Sequence, residues 1–134
     1  MGNGDLMMNR LADKTDFRTK AGRCAKEIIS WMLKHELWID SEIYCDGKRF
    51  TCYDGNHYKY DNTWDCVFVE ENKAPRDYFD YVGDFLSMSF EGPLYRVFND
   101  WGNQKLVGQF NNIIQKYGKY YELGNAWNLS LFDN

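Results

Sequence analysis

Cys45, Cys52, His57 and Cys66 lie within one stretch, Ser41 to Glu71, of this 134-residue chain, and their types are those of metal ligands. Structural zinc sites usually present ligands in pairs about two to four residues apart on tight turns. Here the successive gaps are six, four and eight residues, so the pattern predicts buried free thiols, and no metal or cofactor is expected. Cys52 and His57, with Asp54 or Asp61 to orient the imidazole, are also the parts of a nucleophile and its base. Such groups normally meet across a cleft from separate elements, and these crowd into ten consecutive residues. Glu70 and Glu71 are neighbours in a strand pattern and point to opposite faces, so they do not pair as acid and base. Asp77 and Asp80 have the spacing to share a helix face, with weak glycosidase or metal potential. The chain carries no Walker motif, no GxGxxG, HExxH or GxSxG, and no EF-hand loop. We therefore expect no catalytic residues and no enzymatic activity.

The elements that must position these residues begin with a hairpin. Glu42 to Tyr53 reads as two alternating runs around Asp46-Gly47, the dipeptide favoured in a two-residue type I′ turn. That turn pairs Tyr44 with Arg49 and Ile43 with Phe50. One face then carries Ile43, Cys45, Phe50 and Cys52, and the other Glu42, Tyr44, Arg49, Thr51 and Tyr53. In this register Cys52 stands opposite Ser41, roughly 13 Å along the strand from Cys45. A disulfide needs Cα atoms about 4.4–6.8 Å apart, so these two do not bridge or share an ion.

Upstream, Asp13, Thr15 and Asp16 are candidate N-caps for an amphipathic helix reaching about Glu36, with Ala21, Cys24, Ala25, Ile28 and Met32 inside and Arg18, Lys20, Arg23 and Lys26 outside. Downstream, His57 to Tyr60 is expected to be a short strand. Trp64 to Glu71 reads as the strongest strand, apolar on both faces and therefore central. Phe85 to Phe90 alternates Leu86, Met88 and Phe90 against Ser87 and Ser89, as a strand with one wet face would. Helices are expected after Pro93 and Asn103, and a closing hairpin around Gly124-Asn125. The reading is α+β: one domain over 1–134, a mainly antiparallel sheet of about five to six strands, a long N-terminal amphipathic helix, and two further helices packed on it. Residues 1–12 are expected to be a flexible arm.

Hydrophobic residues at 44% and charged residues at 27% are those of a globular protein large enough to form a core without disulfides or metals. No segment has the apolar length of a membrane span, and the first residues lack the basic and apolar regions of a signal peptide, so a cytoplasmic protein is expected. The net charge of −4 is unevenly placed: residues 53–91 carry nine acids and three bases, while the flanking segments are each slightly basic. A clustered charge of this kind steers a basic partner toward one face.

Aromatics make up 18% of the chain, and several interleave with the acids. Tyr58, Tyr60 and Trp64, with Asp54, Asp61, Asp65 and Glu70, are the candidate partner-binding residues, aromatic anchors among charges facing a basic surface. Short, aromatic and motif-free, the chain resembles small proteins of bacterial phages and mobile elements, a likeness of style that transfers no residue. It implies an inhibitor of a host defence nuclease, of the anti-CRISPR or anti-restriction type. The expected function is thus a small acidic binding protein that blocks a nucleic-acid-processing enzyme, with a protein partner, no membrane, no direct nucleic-acid binding and the oligomeric state open. Alternatives are a toxin-immunity protein, a small cysteine/histidine hydrolase, and a nucleic-acid binder using the basic helix.

Overall fold

The computed structural model describes residues 8–134. Its strands are β1 (Arg10–Leu11), β2 (Ser41–Cys45), β3 (Lys48–Thr51), β4 (Phe68–Glu71), β5 (Ser87–Phe90), β6 (Lys119–Asn125) and β7 (Asn128–Asp133). Its α-helices are α1 (Lys20–Lys34), α2 (Pro93–Asn99) and α3 (Gln104–Gln115). The strands form one seven-stranded sheet in the order β1-β4-β3-β2-β5-β7-β6, with every neighbouring pair antiparallel. The fold is α+β, with more strands than the five to six expected. Among the described residues no helix is long and apolar enough to cross a membrane.

The β2–β3 hairpin has the register read from Asp46-Gly47: Ile43 faces Phe50 and Tyr44 faces Arg49. Asp46 and Gly47 both adopt left-handed backbone angles, φ 56° and 74°, as a type I′ turn requires. Alternation then sends Ile43, Cys45, Phe50 and Cys52 to the face covered by the helices, where they meet Ile28, Met32, Leu94, Phe110 and Ile114 in one core. All four cysteines are free and buried.

Several local expectations are corrected. The N-terminal helix is shorter than the expected 13–36. A 3-10 turn (Lys14–Phe17) is capped by Asp13, and α1 begins separately at Lys20 because the Thr19 side chain accepts from the Gly22 amide at 2.9 Å and stops the chain there. Residues 10 and 11 of the expected arm are instead an edge strand, paired with Val69 and Phe68. Arg10 secures that edge through the buried carboxylate of Asp16, 2.6 Å away. Residues 1–7 of the arm lie outside the described residues.

The strand expected over His57–Tyr60 is reduced to a single bridge between Tyr53 and Tyr58. Trp64–Cys66 is a 3-10 turn, and β4 starts only at Phe68, one place from the sheet edge and not at its centre. Its two apolar faces have different covers. Val69 faces the core, and Phe68 is roofed by the 53–63 loop, with the Lys59 ammonium 5.8 Å from its ring. The last hairpin turns at Ala126-Trp127, since Asn125 pairs with Asn128; Gly124 falls in an irregularity of β6 just before it.

Candidate functional site

Among the described residues no α-helix packs on the second face of the sheet; the segment after a 3-10 turn (Pro75–Asp77) lies against it through Tyr78 and Phe79. Register places the side chains of this face in two transverse rows. One runs Glu70, Arg49, Tyr44, Ser87, Ser130, Glu122; the other runs Phe68, Thr51, Glu42, Ser89, Asn128. Small hydroxyl side chains at the centre of this face leave depth that larger residues would fill. Loops rise on both sides, and the result is a groove of about 370 Å³.

Its floor is Glu42, Tyr44, Thr51 and Ser89. Ser89 Oγ donates to Glu42 Oε1 at 3.0 Å, which leaves it to accept from the Tyr44 hydroxyl at 3.3 Å. One wall is Tyr53 and Tyr58 from the 53–63 loop, their ring centroids 4.6 Å apart, and Tyr60, outside the lining, stacks on Tyr58 at 6.3 Å. That loop is pinned down by the Lys59 amide donating to Cys52 O and by Asn62 Oδ1 accepting from the Trp38 amide, each at 2.9 Å. The other wall is Tyr78 and Trp127, braced by buried Phe79, which stands 5.6 Å from the Tyr44 ring and 5.9 Å from Trp127.

Three carboxylates belong to the groove: Asp40, Glu42 and Glu91. Asp40 and Glu91 are held side by side at its mouth, because the Glu91 amide donates to Asp40 O at 3.0 Å. This close approach depends on Gly92, where a Cβ would fall 2.2 Å from Ile39 O. Burial, together with the charges of Asp40 and Glu91, pushes the Glu42 carboxyl up from its usual range against the opposing pull of Ser89 and Arg49. The cation in the lining, Arg49, is already engaged: it pairs with Glu70 at 2.5 Å and lies 4.7 Å over the Tyr78 ring. Tyr60 donates to Asp40 Oδ1 at 2.6 Å, a bond that pushes its phenol up to about 12.

No protein-family model, curated protein or solved structure matches the chain.

The seven candidate residues read from sequence are divided by the fold. Tyr58 and Tyr60 are exposed; Tyr58 lines the groove and Tyr60 stacks on it from outside the lining. Asp54 is 4% exposed and turned inward, its Oδ1 accepting from the Asn56 and His57 amides at 2.7 Å, so it shapes the loop and does not present to a partner. Glu70 is neutralised by Arg49. Trp64 stands edge-on to Phe17, 5.7 Å away and beside the helix-covered core, and so belongs to the opposite side from the groove. Asp65 lies in the same 3-10 turn as Trp64, and Asp61 is an exposed position of the 53–63 loop.

Asp40, Glu42, Tyr44, Tyr53, Tyr78, Ser89, Glu91 and Trp127 line the groove and are not among the candidates read from the sequence. One signal for them was present, because Glu42, Tyr44, Thr51, Tyr53 and Ser89 all fall on the side of their alternations away from the helices. The wet face expected for Phe85–Phe90 is nevertheless not wet: Ser87 and Ser89 are both buried, Ser87 bonded to Ser130 and Ser89 to Glu42. The reactive arrangement considered around Cys52 does not form. Cys52 is buried on the helix-covered face, its thiol pushed up to about 11 by burial, while His57 is exposed in the loop. Glu70 and Glu71 do face apart, one to Arg49 and one to Arg10. Asp77 is used in its own turn, accepting from the Ala74 amide at 3.1 Å. Among the described residues, no group of three or more His, Cys, Asp or Glu is placed to hold a metal ion.

Proposed function

We propose that the chain is a non-enzymatic binding protein of the cytoplasm that docks its groove face on a basic surface of a protein partner. Within that class we propose an inhibitor of a nucleic-acid-processing defence enzyme, of the anti-CRISPR or anti-restriction type. The observation that carries the reading is the groove: aromatic walls around Asp40, Glu42 and Glu91, with its one cation already neutralised by Glu70. Surfaces of enzymes that hold phosphates are rich in Lys and Arg, and an acidic face with rigid aromatic anchors complements them in charge and shape. The same carboxylates repel a phosphate backbone, which favours a protein partner over nucleic acid itself.

The test is capture of a defence nuclease from a bacterial lysate by the intact chain, followed by a cleavage assay on the captured enzyme. The expected result is reduced cleavage, restored when Asp40→Lys and Glu91→Lys are combined. Captured enzyme that cleaves at its full rate would overturn the inhibitory role. Salt-sensitive binding of the chain to DNA or RNA alone would move the reading to nucleic-acid binding.

A further inference from the structure

Within the groove, the carboxylate of Glu42 is set apart from the others. It projects from the centre of the sheet, at the middle of a face walled by Tyr53 and Tyr58 on one side and Tyr78 and Trp127 on the other. The structure gives it one donor, Ser89 Oγ on Oε1. No lysine or arginine pairs with it among the described residues. A half-buried carboxylate in such surroundings is costly unless a cation meets it. The like charges of Asp40 and Glu91 at the mouth add to that cost and to the attraction for a cation.

The neighbouring row shows what this face does with a guanidinium. Arg49 lies over the Tyr78 ring while its nitrogens reach the Glu70 carboxylate. Glu42, one row along, offers a carboxylate in a groove lined by Tyr53, Tyr58 and Tyr78, and Arg49 in the same lining is spent on Glu70 rather than on it. A planar guanidinium suits that slot better than an ammonium: it stacks on aromatic faces, binds carboxylate through two N–H groups and is less strongly hydrated. A volume of about 370 Å³ is at the small end of ligand sites and suits one inserted side chain rather than a nucleotide or a folded segment.

We infer that the groove receives a single arginine side chain of the partner, its guanidinium on Glu42 between the tyrosine wall and Trp127, with Asp40 and Glu91 guiding its entry. This deepens the reading above and rests on it for the partner's existence, but the slot is testable without the partner.

The experiment is a titration of the isotopically labelled chain with a capped Gly-Arg-Gly peptide, followed by amide NMR shifts. Parallel titrations use the same peptide with citrulline, the neutral isostere, or with lysine. Arginine peptide is expected to shift the amides of Glu42, Tyr44, Tyr58, Ser89 and Trp127, and citrulline to bind roughly tenfold more weakly or not at all. Glu42→Gln should lose the same factor while its thermal unfolding stays cooperative, and Glu36→Gln, an exposed carboxylate outside the groove lining, should leave the binding unchanged as a control for net charge. Equal binding of citrulline, equal or tighter binding of lysine, or unchanged arginine binding to Glu42→Gln would overturn the inference. Failure here with a nuclease still inhibited removes the arginine slot alone. Arginine binding without any inhibited enzyme removes the proposed partner class alone.

Discussion

Asp16 is buried beneath the edge of the sheet, receiving Arg10 at 2.6 Å, Lys48 at 2.9 Å and the Asp13 amide at 2.9 Å. Burial by itself would raise its carboxyl, but these donors win and hold it well below the usual carboxylate range. A carboxylate depressed in the folded state contributes stability that is complete above its unfolded value, near pH 4, and lost as pH falls below that. Urea unfolding of the natural chain should therefore show a loss of stability between about pH 5 and pH 2.5, and Asp16→Ala should show less of it. At neutral pH Asp16→Ala should cost about 3 kcal/mol, because it leaves Lys48 and Arg10 without their shared partner. The cysteines give a second prediction at this scale. Burial pushes the Cys24 thiol up to about 12 and Cys52 up to about 11, and Cys45 up as well. Ellman's reagent should find no fast-reacting thiol in the folded chain and all four after unfolding.

One joint between elements shapes the mouth of the groove, and another fastens the helix layer to the sheet. At the first, Gly92 lets the start of α2 approach the end of the segment before β2, bringing Asp40 and Glu91 together. Gly92→Ala places a methyl against the backbone oxygen of Ile39 and should cost about 1–3 kcal/mol in chemical denaturation. Amide shifts in that variant should change at Asp40 and Glu91. At the second, Thr19 caps α1 and its hydroxyl also donates to Asp46 Oδ2 at 2.6 Å, tying the helix start to the hairpin turn. Thr19→Ala should lower stability by about 1 kcal/mol or more, and Thr19→Ser should recover most of it.

Across the whole molecule the two faces of one sheet differ in composition. The helix-covered face is apolar and continuous from Phe17 to Leu131, while the other keeps Glu42, Ser87, Ser89 and Ser130 at its centre. Charge reversal at Glu91 lies outside the core and should shift the melting temperature by only a few degrees, whereas at Asp40, where φ is 50° and the carboxylate holds the Tyr60 hydroxyl, the loss should be larger. Association with a basic partner should slow as salt is raised, because the carboxylates at the groove mouth act through solvent. A salt-insensitive association rate would mean that those charges are not what the partner meets.

The hairpin at Asp46-Gly47, its register, the apolar alternation of β5 and the start of α2 at Pro93 were all legible in the chain. Each depends on residues close in sequence, so local turn chemistry and side-chain period are enough. The fate of Trp64 to Glu71 was not legible: its apolar residues need cover on two sides, and a loop folding over Phe68 satisfies that one place from the edge as well as a central position does. Nor was the site. Tyr58 and Tyr60 were found because they stand out in an acidic aromatic stretch, yet Asp54 and Glu70 in the same stretch are consumed by the Asn56 and His57 amides and by Arg49. Cys45 and Cys52, among the first residues to suggest chemistry, share the helix-covered face but stand at opposite ends of the hairpin, and His57 lies in the exposed loop. The groove joins Asp40 to Trp127 across 87 positions of chain, and only the pairing of β2 with β5 and of β5 with β7 brings those segments side by side. Composition and local pattern decided that this protein would have an acidic, aromatic surface; the order of strands decided which acids and which rings face one another there.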